Sequence, residues 1–224
     1  MTFTPPDSLH GDNVDQLARI LTCYYKAIPD HGYFFTGSQY DTWTSGGPGS
    51  QAPNKFTPDD LVAVTFLSVK VPPRAASLLL RDRKEEFNNL LVAVGDDVDL
   101  HTLDAVPENG WDLMEALMAL PGVGPTIASK LFARKRPRLR PIYDSVVEEY
   151  LGVDKNQWDP MRVVLRGQPA LVKTLEEVRA NAKLPLGGIT LLRVLDVICW
   201  WEGKGYELDK VEGSQSDKLA SLAH

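Results

Sequence analysis

Apolar residues recur every three or four positions along most of the chain, which is the spacing that places side chains on one face of an α-helix. Asn13 precedes the first such run and can cap it, and Thr57 followed by Pro58 is a typical helix start. The last run carries an apolar stripe of Leu191, Val194, Leu195 and Ile198. The pattern therefore predicts an all-α fold.

Two segments depart from the helical pattern. Residues 32–43 are aromatic and β-prone, and Gly37–Ser38 is placed where a tight turn could join two strands, so we expect a small N-terminal β-hairpin. The apolar spacing fades after Gly205, and we expect residues 209–224 to form a flexible tail.

A short turn joins two amphipathic helices in the middle of the chain. The first helix runs from Trp111 to Leu120, and the second follows the turn Pro121-Gly122-Val123-Gly124-Pro125. Glycine allows positive φ angles and close approach, so the amides of this turn and the N-terminus of the second helix can face an anion such as a phosphate. A tight turn between packed helices is the alternative interpretation of Gly-x-Gly by itself.

Charge is distributed unevenly along the chain. The 224 residues carry a net charge of -6, yet no acidic residue lies between Glu115 and Asp144, where the cations are Lys130, Arg134, Lys135, Arg136, Arg138 and Arg140. Such a local basic patch can attract a polyanion to one site of an otherwise acidic protein. Alternatively, these residues form the solvated end of a helix, where cations interact favourably with the helix dipole.

Composition excludes several classes of protein. The chain has 43% apolar and 24% charged residues, as ordinary globular proteins do, and it lacks a run of about 18 apolar residues that would cross a membrane. The first residues lack the basic start and apolar run of an export signal, so we expect a cytoplasmic protein. Two cysteines and four scattered histidines form no metal-ligand pattern, and we expect no metal or other cofactor.

The segment from Leu120 to Val147, LPGVGPTIASKLFARKRPRLRPIYDSVV, resembles the helix-hairpin-helix of the endonuclease III-like superfamily of DNA glycosylases. The family pattern combines LPGVG, a helix and an aspartate in a V-D-x-x-V context, to which Asp144-Ser145-Val146-Val147 corresponds. Leu61 to Lys70 is similar to the family's early helix, so the resemblance covers about half of the chain. The end of the central segment, residues 136–147, also looks like an uncharacterised bacterial family.

This chain departs from the family pattern at several points. In members that also cleave the DNA strand, a lysine two residues beyond the second hairpin glycine attacks the sugar. Thr126 occupies that position here, and a hydroxyl cannot form a Schiff base. Lys130 lies one helical turn further on, and Lys70 replaces the usual glutamine at the end of the early helix. The family's four-cysteine cluster loop is absent.

The resemblance implies two helical subdomains with a cleft between them, residues 56–143 in one subdomain and residues 12–55 with 144–208 in the other. Asp144 would be the catalytic carboxylate, although an aspartate at this position is also a good helix cap. Lys70 and Tyr143 would line the pocket. DNA would contact Gly122, Val123, Gly124, Thr126, Lys130, Arg134 and Lys135.

The function implied by the resemblance is binding of double-stranded DNA and hydrolysis of the N-glycosidic bond of a damaged or modified base, without strand cleavage. The alternative is a non-catalytic DNA-binding or scaffold protein, which Thr126 favours. Arg193 and Asp196, three residues apart, are interpreted as an intrahelical ion pair. Aromatic side chains hold extruded bases, and the candidates here are Tyr33, Phe34, Tyr40, Trp43, Tyr143, Trp200 and Trp201.

Overall fold

A computed structural model describes residues 4–28, 32–46, 52–152, 157–184 and 188–222, and it confirms the all-α prediction. Short 3-10 helices and one π-helical segment connect the α-helices, and no helix in the described ranges is long and apolar enough to cross a membrane. The α-helices are α1 (Val14–Tyr24), α2 (Pro58–Ala63), α3 (Pro73–Ser77), α4 (Lys84–Val94), α5 (Glu108–Met118), α6 (Pro125–Lys135), α7 (Ser145–Leu151), α8 (Trp158–Gly167), α9 (Pro169–Asn181), α10 (Leu191–Gly203) and α11 (Leu208–Leu222).

The small N-terminal hairpin exists, but it turns at another place. Strands β1 (Ala27–Ile28) and β2 (Gly32–Tyr33) pair antiparallel. The turn expected at Gly37–Ser38 is wrong, because Thr36–Gln39 forms a 3-10 helix. A Cβ atom at residue 37 would overlap the hydroxyl of Tyr24, so glycine at this position serves close packing on α1 rather than a hairpin turn.

Two groups of helices build the core. Helix α10 packs against α1, α7 and α9, while α4, α5 and α6 pack on one another in chain order. The largest fully buried side chains include Trp158, Trp201, Phe87 and Phe132. The division at residues 56–143 and 144–208 stays a prediction, but residues of both segments meet around one pocket.

The expected flexible tail is wrong for residues 209–222, which belong to α11. The Gln215 side chain is 2% exposed, and its Nε2 donates a hydrogen bond to the Cys23 carbonyl at 2.8 Å. Arg19 of α1 pairs with Asp209 and Glu212 of α11. Polar side chains make these contacts, and apolar spacing therefore does not reveal them.

Candidate functional site

A pocket of about 310 Å³ opens where α1, α6, α10 and the segment leading into α7 meet. One set of its lining residues is aromatic, namely Tyr24, Phe35, Phe66 and Trp200. The rings of Tyr24 and Phe35 stack with centroids 5.3 Å apart. The acidic and basic lining residues are Lys130, Asp144, Arg193, Asp196 and Lys204. The pocket therefore offers flat apolar faces and charges of both signs to the same ligand.

Asp144 both caps a helix and lines this pocket. Its Oδ1 accepts a hydrogen bond from the Val146 amide at 3.0 Å, as a cap of α7 does. Its Oδ2 lies 3.2 Å from Nζ of Lys130, and the side chain keeps 25% of its exposure. The structural and the chemical interpretation of this residue are thus compatible, because two fixed contacts orient a carboxylate that still reaches open space.

Lys130 lies on the pocket wall rather than on a DNA-facing surface. Its side chain is 3% exposed, and Nζ donates to the Leu67 carbonyl at 2.9 Å as well as to Asp144. The helical turn between Thr126 and Lys130 carries this ammonium group to the inner side of α6. The predicted contact of Lys130 with DNA stays a prediction, for a side chain that the structure places on the pocket wall.

Arg193 and Asp196 form the expected ion pair within α10, and both also line the pocket. The buried guanidinium of Arg193 further contacts Asp41 at 3.0 Å, the Tyr24 hydroxyl at 3.1 Å and the Gly37 carbonyl at 2.9 Å. Burial raises the pKa of Asp196 to about 6, and the charge of Asp144 raises it in the same direction. The sequence analysis did not identify Arg193 and Asp196 as pocket residues. A charged pair within so apolar a helix could have indicated a buried polar site.

The basic patch expected around Arg134 and Lys135 does not lie at the surface. The Arg134 guanidinium is buried and donates to the carbonyls of Tyr40 and Asp41, at 2.7 and 2.8 Å. Lys135 is 5% exposed and pairs with the buried carboxylate of Asp60.

Arg136 and Arg140 are buried as well, and exposed Arg138 pairs with Asp99. Arg136 donates to the carbonyls of Pro53 and Leu91, each at 2.7 Å. Cations of this run therefore donate to carbonyl groups of loops and of the C-terminal turn of α4, which would otherwise be buried without donors. The predicted DNA contacts of Arg134 and Lys135 stay predictions, for side chains that the structure places inside the protein with internal partners.

The helical hairpin remains open to another molecule. Gly122 is exposed with a φ of 76°, and a Cβ atom added at Gly124 would meet nothing within 4 Å. Among the described residues, no backbone carbonyl accepts a hydrogen bond from the amides of Gly124 or Thr126. Val123 differs, because its side chain is buried and its amide donates to the Leu120 carbonyl. Its contact with DNA stays a prediction.

Lys70 and Tyr143 do not line the described pocket, contrary to expectation. Tyr143 is buried, and its backbone amide donates a hydrogen bond to Oγ of Ser129 at 3.0 Å. The Tyr143 hydroxyl donates to the Glu148 carboxylate. Lys70 is exposed two residues beyond the pocket residue Ser68.

Most of the aromatic candidates also lie elsewhere. Among the residues predicted to hold a base, Trp200 lines the pocket, whereas Tyr33, Phe34, Tyr40, Trp43 and Trp201 do not. Sequence reasoning missed Tyr24, Phe35 and Phe66, because helical or aromatic spacing alone does not distinguish a pocket wall from the core. In the part of the chain that the structure describes, no cluster of three potential metal-binding side chains occurs.

Comparison with known proteins identifies a family but no activity. No curated protein and no solved structure matches the chain. One family model matches residues 17–203, a span that includes the pocket residues from Tyr24 to Trp200 and the whole helical hairpin. The chain therefore belongs to a protein family of unknown function, DUF6308.

Proposed function

We propose that this protein binds duplex DNA through its helical hairpin and hydrolyses the N-glycosidic bond of a base held in the pocket. The observation that carries the proposal is the Asp144 carboxylate, which is oriented by two contacts on the wall of an open, aromatic-lined pocket. An enzyme that acts on a base must take it out of the duplex, and aromatic faces hold extruded bases.

The hairpin lies at a suitable distance from the pocket. Gly124 caps the start of α6, and Lys130 of the same helix lines the pocket. Six residues of α-helix advance about 9 Å, so a phosphate bound at the hairpin and a base in the pocket can belong to nearby nucleotides. The open amides of Gly124 and Thr126 supply donors for that phosphate.

The pocket supports hydrolysis rather than covalent attack by a lysine. The anionic form of Asp144 would stabilise positive charge that develops on the sugar as the base departs, and would orient the attacking water. The Lys130 ammonium group donates to Asp144 and to the Leu67 carbonyl, which holds Asp144 in place. A lysine engaged as a charged donor is not a nucleophile, so borohydride should trap no covalent complex with DNA.

Asp144→Asn tests the catalytic role. Asparagine caps helices about as well as aspartate, so α7 should keep its start while the negative charge is lost. Wild-type protein is incubated with a panel of duplexes, each containing one damaged or modified base, and alkali then converts abasic sites into strand breaks. We expect the variant to release the base at least about 100-fold more slowly and to bind the duplex as wild type does.

The exposed Asp104, whose side chain keeps 94% of its exposure, provides the matched control. Asp104→Asn should leave base release unchanged. Undiminished release by Asp144→Asn would contradict the assignment of this carboxylate. Duplex binding by wild type without release from any duplex would instead support the non-catalytic DNA-binding alternative.

A further inference from the structure

We propose, on the basis of the function proposed above, that Asp196 is a second catalytic carboxyl group, which donates a proton to the departing base. Asp196 and Asp144 come from different helices and line the same pocket. Cleaving the bond to a neutral base leaves negative charge on the base unless an acid protonates it. Asp144 would thus stabilise the charge on the sugar, and Asp196 would protonate the leaving base.

The two carboxyl groups lie in opposite environments. Asp144 is one-quarter exposed and accepts hydrogen bonds from a backbone amide and from the Lys130 ammonium group. The Asp196 side chain keeps 11% of its exposure, and Arg193 contacts its Oδ2. Its Oδ1 accepts no hydrogen bond from the residues that the structure describes, so this atom is free to donate a proton to a ligand when it is protonated.

The charge around Asp196 sets the pH at which it donates. The charged groups that face it are Asp41 behind Arg193, Lys130, Arg140, Asp144 and Arg193. Uncharged partners nearby are Tyr24, Tyr40 and Cys199. Burial raises the pKa of Asp196 to about 6, and the protonated form therefore predominates below that pH and declines as the pH rises through it.

The reaction balances without another reactant. The oxygen of water forms a bond to C1′ of the sugar while the bond from C1′ to the base nitrogen breaks, and that electron pair stays on the base. Asp196 gives its proton to the base, and Asp144 accepts a proton from the water. A proton returns from Asp144 to Asp196 through solvent in the open pocket before the next turnover.

The chemistry of the leaving base separates this role from a structural one. A purine methylated at N7 carries a positive charge in DNA and departs as a neutral base without protonation, whereas hypoxanthine must gain a proton. We expect Asp196→Asn to slow hypoxanthine release about 100-fold or more and to slow 7-methylguanine release about threefold at most. In wild type, the ratio of hypoxanthine to 7-methylguanine release should fall as the pH rises above about 6.

Asp104→Asn is the matched control, because Asp104 is exposed, does not line the pocket and is not among the charged groups that face Asp196. This variant should keep the pH profile of the ratio. Three results would overturn the inference while leaving the proposed function intact. Asp196→Asn could slow the release of both bases equally, the release ratio of wild type could stay constant with pH, or wild type could release methylated purines alone. No release of any base by wild type would overturn the proposed function, and the inference would fall with it.

Discussion

The cations of α6 and the segment that follows it show how one residue's role depends on its surroundings. The sequence presents six cations without an intervening acid, yet Lys135 and Arg136 donate to backbone carbonyls inside the protein. Charge counts alone cannot distinguish a surface patch from a set of buried donors, because the deciding partners are carbonyl groups of loops far away in sequence. Asp144, by contrast, was identified from local sequence, because its capping geometry is local.

Asp60 tests this buried arrangement at the scale of one residue. Its carboxylate accepts the Thr57 amide at 2.7 Å and pairs with buried Lys135. Asp60→Asn should lower the free energy of unfolding by about 3 to 5 kcal/mol, since it leaves the Lys135 ammonium group buried without its anion. Urea unfolding measures the change.

Asp104→Asn is again the control, because the pair of Asp104 with Arg166 is exposed to solvent and should contribute little. Equal stability losses in the two variants would show that Lys135 is not held as a charged group by Asp60.

At the scale of elements, apolar spacing predicted the long helices well. It located α1 and α10, and the capping signals at Thr57–Pro58 located the start of α2. It failed for α11, whose contacts with α1 use Gln215 and ion pairs of Arg19. The hairpin turn was misplaced at Gly37–Ser38, because the Tyr24 hydroxyl leaves no space for a Cβ atom at residue 37. Glycine is needed there for packing and not for a turn between strands.

Removing residues 208–224 tests the docking of α11. Cys23 lies under this helix, where burial raises the pKa of its thiol to about 11, while Cys199 is fully buried in α10. The shortened protein should therefore react with a thiol reagent at one site, and at least about tenfold faster than the full chain does.

Cys23→Ala in the shortened protein should remove that reaction, which assigns it to Cys23. Unchanged labelling after removal of the helix would contradict the packing of α11 over α1.

At the scale of the whole molecule, burial of the basic run changes how the protein can hold DNA. Pro72 packs against Gly122, so the exposed cations Lys70 and Arg74 flank the hairpin. Lys204 lines the pocket. On a protein with a net charge of -6, we take these three cations of the described residues and the hairpin amides as the donors to phosphates near the site.

The salt dependence of duplex binding follows from that inventory. Each phosphate neutralised by a cation contributes about 0.9 to the slope of log K against log salt concentration. We expect a slope of about -2 to -3, in contrast to the value near -5 that six exposed cations would give. A salt titration of binding to a fluorescent duplex measures it, and a slope near -5 would contradict the buried arrangement of the basic run.

The helical hairpin as the DNA-binding element is the claim on which the account depends most, and fluorescence anisotropy of a labelled duplex tests it directly. Gly124→Trp fills the open space over the hairpin amides, and Gly167→Trp places the same side chain at an open glycine outside the hairpin. We predict that wild type and Gly167→Trp bind the duplex with the same affinity. Gly124→Trp should bind it at least about tenfold more weakly, because hydrogen bonds from the hairpin amides to a charged phosphate are lost. Equal binding by all three folded proteins, or no binding by wild type, would contradict the account.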